Sequence, residues 1–134
     1  MIYLIRHGET EWARDGRHTG RTDLPLTERG RVRARLLRPF FESAAFEAIL
    51  SSPLARATET AELAGIGRDR LNVLDDLHEW DYGDYEGRTT EEIRRMAPGW
   101  TIWTQPCPHG ETIGEVAARA DRAIGGLDGR RGDC

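Results

Sequence analysis

The tetrapeptide HGET occurs twice in this chain, at residues 7–10 and again at residues 109–112. Histidine supports nucleophilic, acid–base and metal chemistry near neutral pH, so each copy marks a candidate site. The four histidines lack the i, i+4 spacing of paired metal ligands and have no CxxC motif beside them. Metal binding is therefore disfavoured, and the flanking sequence must distinguish the two copies.

The first copy follows a short apolar run. Residues 1–5, MIYLI, predict a strand buried on both faces, which ends at Arg6-His7-Gly8. Ligands gather at the carboxyl ends of strands in open α/β sheets, which favours a functional role for His7. A histidine after a buried strand can also be a structural residue, so this motif alone leaves both interpretations open.

The second copy has a local structural explanation. Thr112 is followed three residues later by Glu115, which is the spacing of a capping box at the start of a helix. We therefore expect residues 109–112 to be mainly structural. A role at the edge of a pocket remains the alternative, because a helix N-terminus also attracts anions.

Strand and helix patterns alternate between the two copies. Thr27 is a predicted N-cap for a helix that Pro39 strains, and Ser52 is the predicted N-cap of a helix that Gly65 closes. Further strands are predicted at residues 46–50 and 71–77. Helices are also predicted from Thr90 to Met96 and over residues 111–127, the latter with an apolar stripe formed by Ile113, Val116, Ala117, Ala120 and Ile124.

This order of elements predicts an α/β fold, in which a mostly parallel sheet carries helices on both faces as a three-layer sandwich. The 134 residues fit a single domain. No apolar run is long enough for a membrane helix and no leader follows Met1, so we expect a cytoplasmic protein without membrane contact. The cysteines, Cys107 and Cys134, indicate neither a disulfide framework nor a zinc knuckle.

Charge disfavours a nucleic-acid partner. The net charge is −4, and all 19 cations are arginines. The densest run of cations lies on the helix after Thr27, where near-alternate spacing wraps the side chains around the exposed side. We interpret this run as a solvated face: Arg29, Arg31, Arg33, Arg35 and Arg38.

Five blocks of sequence, in order, resemble the phosphoglycerate-mutase-like branch of the histidine phosphatase superfamily. They are LIRHGETEW, HTGRTDLPLTERG, LSSPLARATETAEL, LHEWDYGDYEGRTTEEI and PCPHGETIGEVAARADRAI. Within that branch, EWDYGDYEG followed by WTIWTQPCPHGET is most similar to sugar-phosphate phosphatases, including sedoheptulose-bisphosphatase-like members. The resemblance implies hydrolysis of phosphate monoesters of small metabolites, and mutase transfer is the alternative.

The resemblance also implies catalytic roles. His7 matches the nucleophile that forms a phosphohistidine, and Arg6 and Arg56 match the phosphate clamps. Glu79 matches the proton donor and acceptor, with its neighbour Asp81 as the rival. No cofactor and no metal are implied, and the expected partner is a small phosphorylated metabolite.

The resemblance also concerns positions that contact the substrate in the family. Thr19 and Gly20 match a substrate-binding Thr-Gly pair of the family, whereas Ala13 replaces its usual Asn or Ser, so one polar phosphate contact is expected to be missing. The loop containing Trp100 and Trp103 is expected to influence leaving-group specificity.

One family element has no match. A second catalytic histidine is implied in an HG motif after a late strand, but the sequence ends at GRRGDC, where that strand would begin. His109 precedes the final helix and is not expected to replace it. We therefore interpret residues 1–134 as a single, C-terminally incomplete histidine-phosphatase-like domain. A phosphate-binding protein without turnover is a further alternative, and a homo-oligomer is left open.

Overall fold

The computed structural model describes residues 1–128. The segment GRRGDC, where the late strand was expected, lies outside these residues together with Cys134. The helices are α1 (Glu11–Arg14), α2 (Glu28–Arg35), α3 (Arg38–Ser43), α4 (Ala55–Leu63), α5 (Thr90–Met96) and α6 (Ile113–Asp128). Single 3₁₀ turns span Arg68–Arg70, Asp75–Leu77 and Gly83–Tyr85.

The strands β1 (Ile49–Ser51) and β2 (Leu71–Val73) pair in parallel, with Ile49 opposite Leu71. Parallel neighbours need a crossover connection, and α4 supplies it, giving a β–α–β unit. The α/β class and both predicted strand positions are confirmed, although each strand is shorter than its apolar run. Within residues 1–128, the sheet consists of this one pair of strands.

The prediction of a buried strand over MIYLI is wrong in this structure. Residues 1–5 form no strand, and Met1 and Leu4 are 95% and 93% exposed. A strand buried on both faces needs neighbours on each edge and cover above and below. Within residues 1–128, other side chains cover this segment only in part. The centroid of the Tyr3 ring lies 5.3 Å from that of Phe40 and 5.8 Å from that of Phe46.

The helix predicted after Thr27 is divided into two. The Thr27 hydroxyl accepts a hydrogen bond from the Gly30 amide at 3.0 Å, which confirms the predicted N-cap. The helix α2 ends before Leu36, and α3 begins with Pro39 in its first turn, because proline cannot donate to the preceding turn. The buried residues of α2 are the small Gly30 and Ala34.

The main hydrophobic core lies around α5. Tyr85, Ile93, Trp100 and Cys107 form one buried cluster. The expectation that Trp100 belongs to a substrate loop is therefore corrected: it is 2% exposed and packs in the core. Trp103 is exposed, with its ring 5.9 Å from that of Trp80.

The final helix α6 does not bury its predicted stripe. Ile113 and Ile124 are both more than half exposed, whereas Arg119 and Ala123 are buried. The helix packs on the Asp75–Leu77 turn instead of on the two-stranded sheet, so a different face points inward. No helix within residues 1–128 has both the length and the apolar character needed to cross a membrane.

Candidate active site

The His7 side chain is half-buried, and one of its ring nitrogens is hydrogen-bonded. Its Nδ1 lies 2.7 Å from the carbonyl oxygen of Gly8, and a carbonyl can only accept, so Nδ1 carries the proton. The tautomer therefore leaves the Nε2 lone pair available. Burial lowers the pKa of His7, and the positive charges of Arg56 and Arg6 lower it further, whereas the hydrogen bond to Gly8 opposes them. The lowered pKa favours the neutral imidazole, which is the form able to attack phosphorus.

The segment carrying His7 is anchored to α4. The amide of Gly8 donates to the Thr60 hydroxyl at 2.9 Å, and that hydroxyl donates to the carbonyl oxygen of Arg56 at 2.6 Å. A Cβ at Gly8 would lie 2.9 Å from the carbonyl oxygen of Gly30, so this close approach requires glycine. Thr60 therefore positions the segment that carries His7, a role that no sequence motif indicated.

Arg56 lies on the buried face of α4, only 1% exposed. Its guanidinium donates to the carbonyl oxygens of Thr22 at 2.9 Å and Gly20 at 2.8 Å. The Nε of Arg56 is buried and has no partner within residues 1–128. Burial lowers the pKa of Arg56, while the nearby carboxylate of Glu79 raises it. The Arg56 side chain thus fixes the loop that contains Gly20 and Thr22, and its Nε has no hydrogen-bond partner within the described residues.

The helix α4 begins later than predicted. Ser52 was the expected N-cap, but the cap position is Leu54 and the first helical residue is Ala55. The carboxylate of Asp23 accepts from the Ala55 amide at 3.0 Å and so supplies the cap from a distant loop. Gly65 closes the helix at a φ of 88°, as predicted.

The loop 17–23 carries the predicted substrate contacts. The Thr19 hydroxyl donates to the carbonyl of Arg17 at 3.3 Å, and the Gly20 carbonyl is occupied by Arg56. A Cβ at Gly20 would collide with the carbonyl oxygen of Trp80 and the side chain of Glu86. Glu86 also accepts hydrogen bonds from the next two amides of the loop, which no spacing pattern in the sequence predicts.

Glu79 is exposed and close to the histidine. Its Oε1 accepts from the Trp80 amide at 2.8 Å, and its charge acts to raise the pKa of His7. Burial raises the pKa of Tyr82 to about 12, with a further contribution from Glu79. The rival Asp81 is already engaged, because it accepts from the Gly83 amide at 2.9 Å and lies 3.7 Å from the Nε of Arg21.

The second HGET holds the segment that carries Glu79. The side chain of Glu111 accepts from the Asp81 amide at 2.9 Å, and its carbonyl accepts from the Trp80 indole at 2.9 Å. Burial acts to raise the pKa of Glu111, but hydrogen bonds from Arg119 and Asp81 hold it below its usual value. Arg119 also donates to the carbonyl of His78 at 2.6 Å. These partners were not identified from the sequence.

The histidine of the second copy is peripheral. His109 is exposed, has a φ of 58°, and its Nδ1 lies 3.0 Å from the Oδ2 of Asp84. Thr112 and Glu115 form the predicted capping box, since the Thr112 amide donates to Glu115 at 2.8 Å and the Glu115 amide to Thr112 at 3.3 Å. The predicted capping box is confirmed, and Glu111 also lines a cavity of about 450 Å³, so the alternative of a role at the edge of a pocket stays open.

A cavity of about 200 Å³ opens beside His7. It is lined by Arg6, His7, Gly8, Glu9, Ala13 and Arg33. Glu79, Arg56, Thr19 and Gly20 do not line this cavity, although the charges of Arg56 and Glu79 act on His7. Within residues 1–128, no cluster of side chains has the composition of a metal site. A neutral imidazole beside a guanidinium can take a phosphoryl group onto nitrogen while its charge is compensated.

The site therefore combines, on an α/β scaffold, the residue types that phosphoryl transfer through histidine requires. The family model of the histidine phosphatase superfamily (branch 1) matches residues 2–133, and the chain belongs to this superfamily. The resemblance predicted from the five sequence blocks is confirmed.

Individual relatives carry phosphatase names. An acid phosphatase of Mycobacterium tuberculosis is 43% identical, over 92% of this chain and 61% of its own length. Sedoheptulose 1,7-bisphosphatase of Saccharomyces cerevisiae is 37% identical, over 90% of this chain and 53% of its own length. The crystal structure of the α-ribazole phosphatase from Shigella flexneri superposes with a TM-score of 0.83 at 30% identity, over 95% of this chain and 66% of that chain. The chain thus spans 61% and 53% of the lengths of the first two relatives.

Proposed function

We propose that this protein is a cofactor-independent phosphatase that hydrolyses phosphate monoesters of small metabolites through a phosphohistidine at His7. The observation that carries the proposal is the state of His7: its Nδ1 donates to the Gly8 carbonyl, its pKa is lowered by burial, and its cavity contains the guanidinium of Arg6. Sugar phosphates are the proposed substrates, supported by the bisphosphatase among the relatives.

The proposed reaction has two steps. The Nε2 of His7 attacks phosphorus, and the departing alkoxide takes a proton from Glu79. Water then attacks the phosphohistidine, Glu79 accepts its proton, and phosphate leaves. Arg6 and Arg56 are proposed to compensate the phosphoryl charge, and Thr19 and Gly20 to contact its oxygens. The charge of Arg56, which acts on His7, supports its share of this role.

The test is to trap the covalent intermediate. The protein is incubated briefly with ³²P-labelled sugar phosphate, quenched in alkali, and digested for peptide mapping. We expect label on the peptide containing residue 7, stable in alkali and lost in acid, as a phosphoramidate bond requires. Label should be absent from His7→Asn. Phosphate release from wild type without any labelled histidine would contradict the mechanism.

Phosphate binding without turnover is the second candidate, because no other histidine lines the cavity beside His7 within the described residues. Calorimetry with inorganic phosphate, combined with assays on p-nitrophenyl phosphate and sugar phosphates, separates the two. Binding with no release from any ester would favour the binding protein. Mutase activity, the remaining alternative, would appear as phosphate migration between hydroxyls of the substrate without net release.

A further inference from the structure

Backbone pairing holds only the start of the loop 17–23. The His18 amide donates to the carbonyl of Arg88, and the His18 carbonyl accepts from the Gly87 amide, each at 2.9 Å. Within the described residues, none of the amides of residues 19–23 donates to a backbone carbonyl. The part of the loop that carries Thr19 and Gly20 therefore depends on side chains for its position.

Glu86 supplies three of these side-chain attachments. Its Oε1 accepts from the Arg21 amide, and its Oε2 accepts from the Thr22 amide at 3.0 Å. The Thr22 hydroxyl also donates to Oε2. Because all three donors belong to the loop, one carboxylate fixes two successive peptide groups.

Arg56 holds one of these peptide groups from its other end. The carbonyl of Gly20 and the amide of Arg21 form a single peptide group, in which the oxygen accepts from Arg56 at 2.8 Å and the N–H donates to Glu86. A peptide dipole is negative at its oxygen and positive at its N–H, so this cation and this carboxylate favour the same orientation. The charge of Glu86 also acts to raise the pKa of Arg56. Glu86 is therefore coupled to Arg56 through the loop.

The loop also touches the segment that carries Glu79. A Cβ at Gly20 would collide with the Oε1 of Glu86 and with the carbonyl oxygen of Trp80, and would lie 3.1 Å from the amide of Tyr82. Trp80 directly follows Glu79 in the chain. A shift of the loop at this contact would change the distance between its phosphate contacts and the Glu79 carboxylate.

We propose that Glu86 is a positioning residue, which holds the phosphate-contacting loop at the distance from Glu79 that proton transfer to the leaving group requires. Glu86 acts through the loop, because both of its oxygens accept from loop residues. This inference rests on the proposed function, because it takes Glu79 as the acid and Thr19 and Gly20 as phosphate contacts. A displacement of about 1 Å between reacting groups can cost about 10² in rate.

Replacement of Glu86 by glutamine tests the proposal. A carboxylate accepts on both oxygens, whereas a glutamine side chain has one acceptor oxygen and one donor NH₂ group. In Glu86→Gln, the amide of either Arg21 or Thr22 therefore faces a donor and loses its acceptor. Thr22→Val removes only the hydroxyl donor, and this milder variant gives the test if Glu86→Gln does not fold.

Glu92→Gln is the matched control. The Oε2 of Glu92 accepts both from the Thr89 amide at 2.8 Å and from the Thr89 hydroxyl at 3.1 Å. A single oxygen receives both bonds, so glutamine can retain the capping box. The same substitution should therefore be harmful at residue 86 and tolerated at residue 92.

The leaving group separates positioning from a general loss of structure. The p-nitrophenolate ion departs without protonation, whereas the alkoxide of fructose 6-phosphate requires a proton from the acid. We expect Glu86→Gln to lower kcat/KM about 10²-fold for fructose 6-phosphate and about 10-fold or less for p-nitrophenyl phosphate. Thr22→Val should give smaller losses in the same order, and Glu92→Gln should stay within about twofold on both esters. Equal losses on the two esters would overturn the proposal.

Hydrogen exchange followed by NMR gives a readout that is independent of turnover. Exchange of the Arg21 and Thr22 amides should accelerate about 10-fold or more in Glu86→Gln and stay unchanged in Glu92→Gln, because only the first variant removes an acceptor. Unchanged exchange in Glu86→Gln would overturn the proposal. If wild type releases no phosphate from either ester, the proposed phosphatase activity fails, and accelerated exchange would still support Glu86 as the residue that positions the loop.

Discussion

The two HGET copies share their local structure and differ in their surroundings. In each, the threonine caps the following helix: the Thr10 hydroxyl accepts from the Ala13 amide at 3.2 Å, and Thr112 pairs with Glu115. The histidines differ completely. His7 is half-buried with its pKa lowered, whereas His109 points outward beside Asp84. Both tetrapeptides therefore place threonine at a helix N-cap, with a capping box at Thr112 and none at Thr10, and their histidine environments are unrelated.

The difference comes from residues far away in sequence. In the first copy, the Gly8 amide donates to the hydroxyl of Thr60, 52 positions later. In the second copy, the Glu111 carboxylate accepts hydrogen bonds from Arg119 and from the Asp81 amide. One copy thus presents its histidine to a cavity, and the other uses its glutamate as an internal brace. A short motif determines local hydrogen bonding, and long-range partners decide whether it supports chemistry.

The largest expected contrast is in catalysis. His7→Ala should abolish phosphate release by at least about 10³-fold, because it removes the proposed nucleophile. His109→Ala should stay within about threefold, because this exposed side chain does not line the cavity. Release of phosphate from p-nitrophenyl phosphate by both variants checks the contrast, with circular dichroism as the control for folding. Comparable losses in the two variants would break the distinction between the copies.

Local signals explain the successful predictions. Helix α5 has the predicted limits Thr90 and Met96, and the caps at Thr27 and Thr112 form as expected. These features depend on residues three or four positions apart, so the sequence contains the interacting partners within one short window. The parallel pairing of β1 with β2 also follows from the alternation of strand and helix.

Burial was predicted less well, because it depends on what the rest of the chain supplies. Residues 1–5 have the composition of a buried strand yet are exposed, and Ile113 and Ile124 lie outside the face that α6 buries. An apolar pattern identifies a face that prefers cover and does not identify the covering element. Trp100 was missed for the same reason, since aromatic residues suit a core and a binding loop equally.

The candidate site shows the same division. The five blocks indicated His7 and three charged residues, Arg6, Arg56 and Glu79, whose charges act on His7 in the structure. The supporting residues Thr60, Glu86 and Arg119 have no signature of their own, because a side chain that bonds a distant backbone amide or carbonyl leaves no spacing pattern. The interpretation of Arg33 as part of a solvated face did not anticipate that it lines the cavity beside His7.

The two glutamates give the second contrast. Glu111→Ala should destabilise the protein by about 3 kcal/mol, since it breaks a largely buried ion pair and leaves Arg119 without its carboxylate. Glu9→Ala should cost about 1 kcal/mol, because that carboxylate accepts one neutral hydroxyl hydrogen bond and lies 3.8 Å from the exposed Arg29. Urea unfolding of both variants measures the difference.

A matched variant separates charge from hydrogen bonding at residue 111. Glu111→Gln keeps an acceptor for the Asp81 amide and removes the charge opposite Arg119, so its stability should fall between wild type and Glu111→Ala. If Glu9→Ala proves the more damaging of the two alanine variants, the assignment of the second copy as the internal brace is wrong.

The threonines give a smaller contrast. Thr112→Ala should cost about 1 kcal/mol, the usual value for loss of an N-cap, and Thr112→Ser should recover most of it. Thr10→Ala should cost more, because Thr10 is fully buried and water cannot replace its hydroxyl at the Ala13 amide. Equal losses, measured by urea unfolding, would show that burial of the first copy adds nothing to its cap.

The subtlest contrast is the titration of His7. Its pKa should lie below the ordinary value of 6.5, and the resonance of its Cε1 proton followed by NMR against pH measures it. Arg6→Gln should move that pKa upward, because it removes a positive charge that opposes protonation, whereas Arg14→Gln, whose arginine pairs with Asp15, should not. Since the unfolded chain takes up this proton first, stability should decline as pH falls through 6.5 and level off below the folded pKa. A His7 titration at or above 6.5, or one insensitive to Arg6→Gln, would remove the electrostatic basis for separating the two copies.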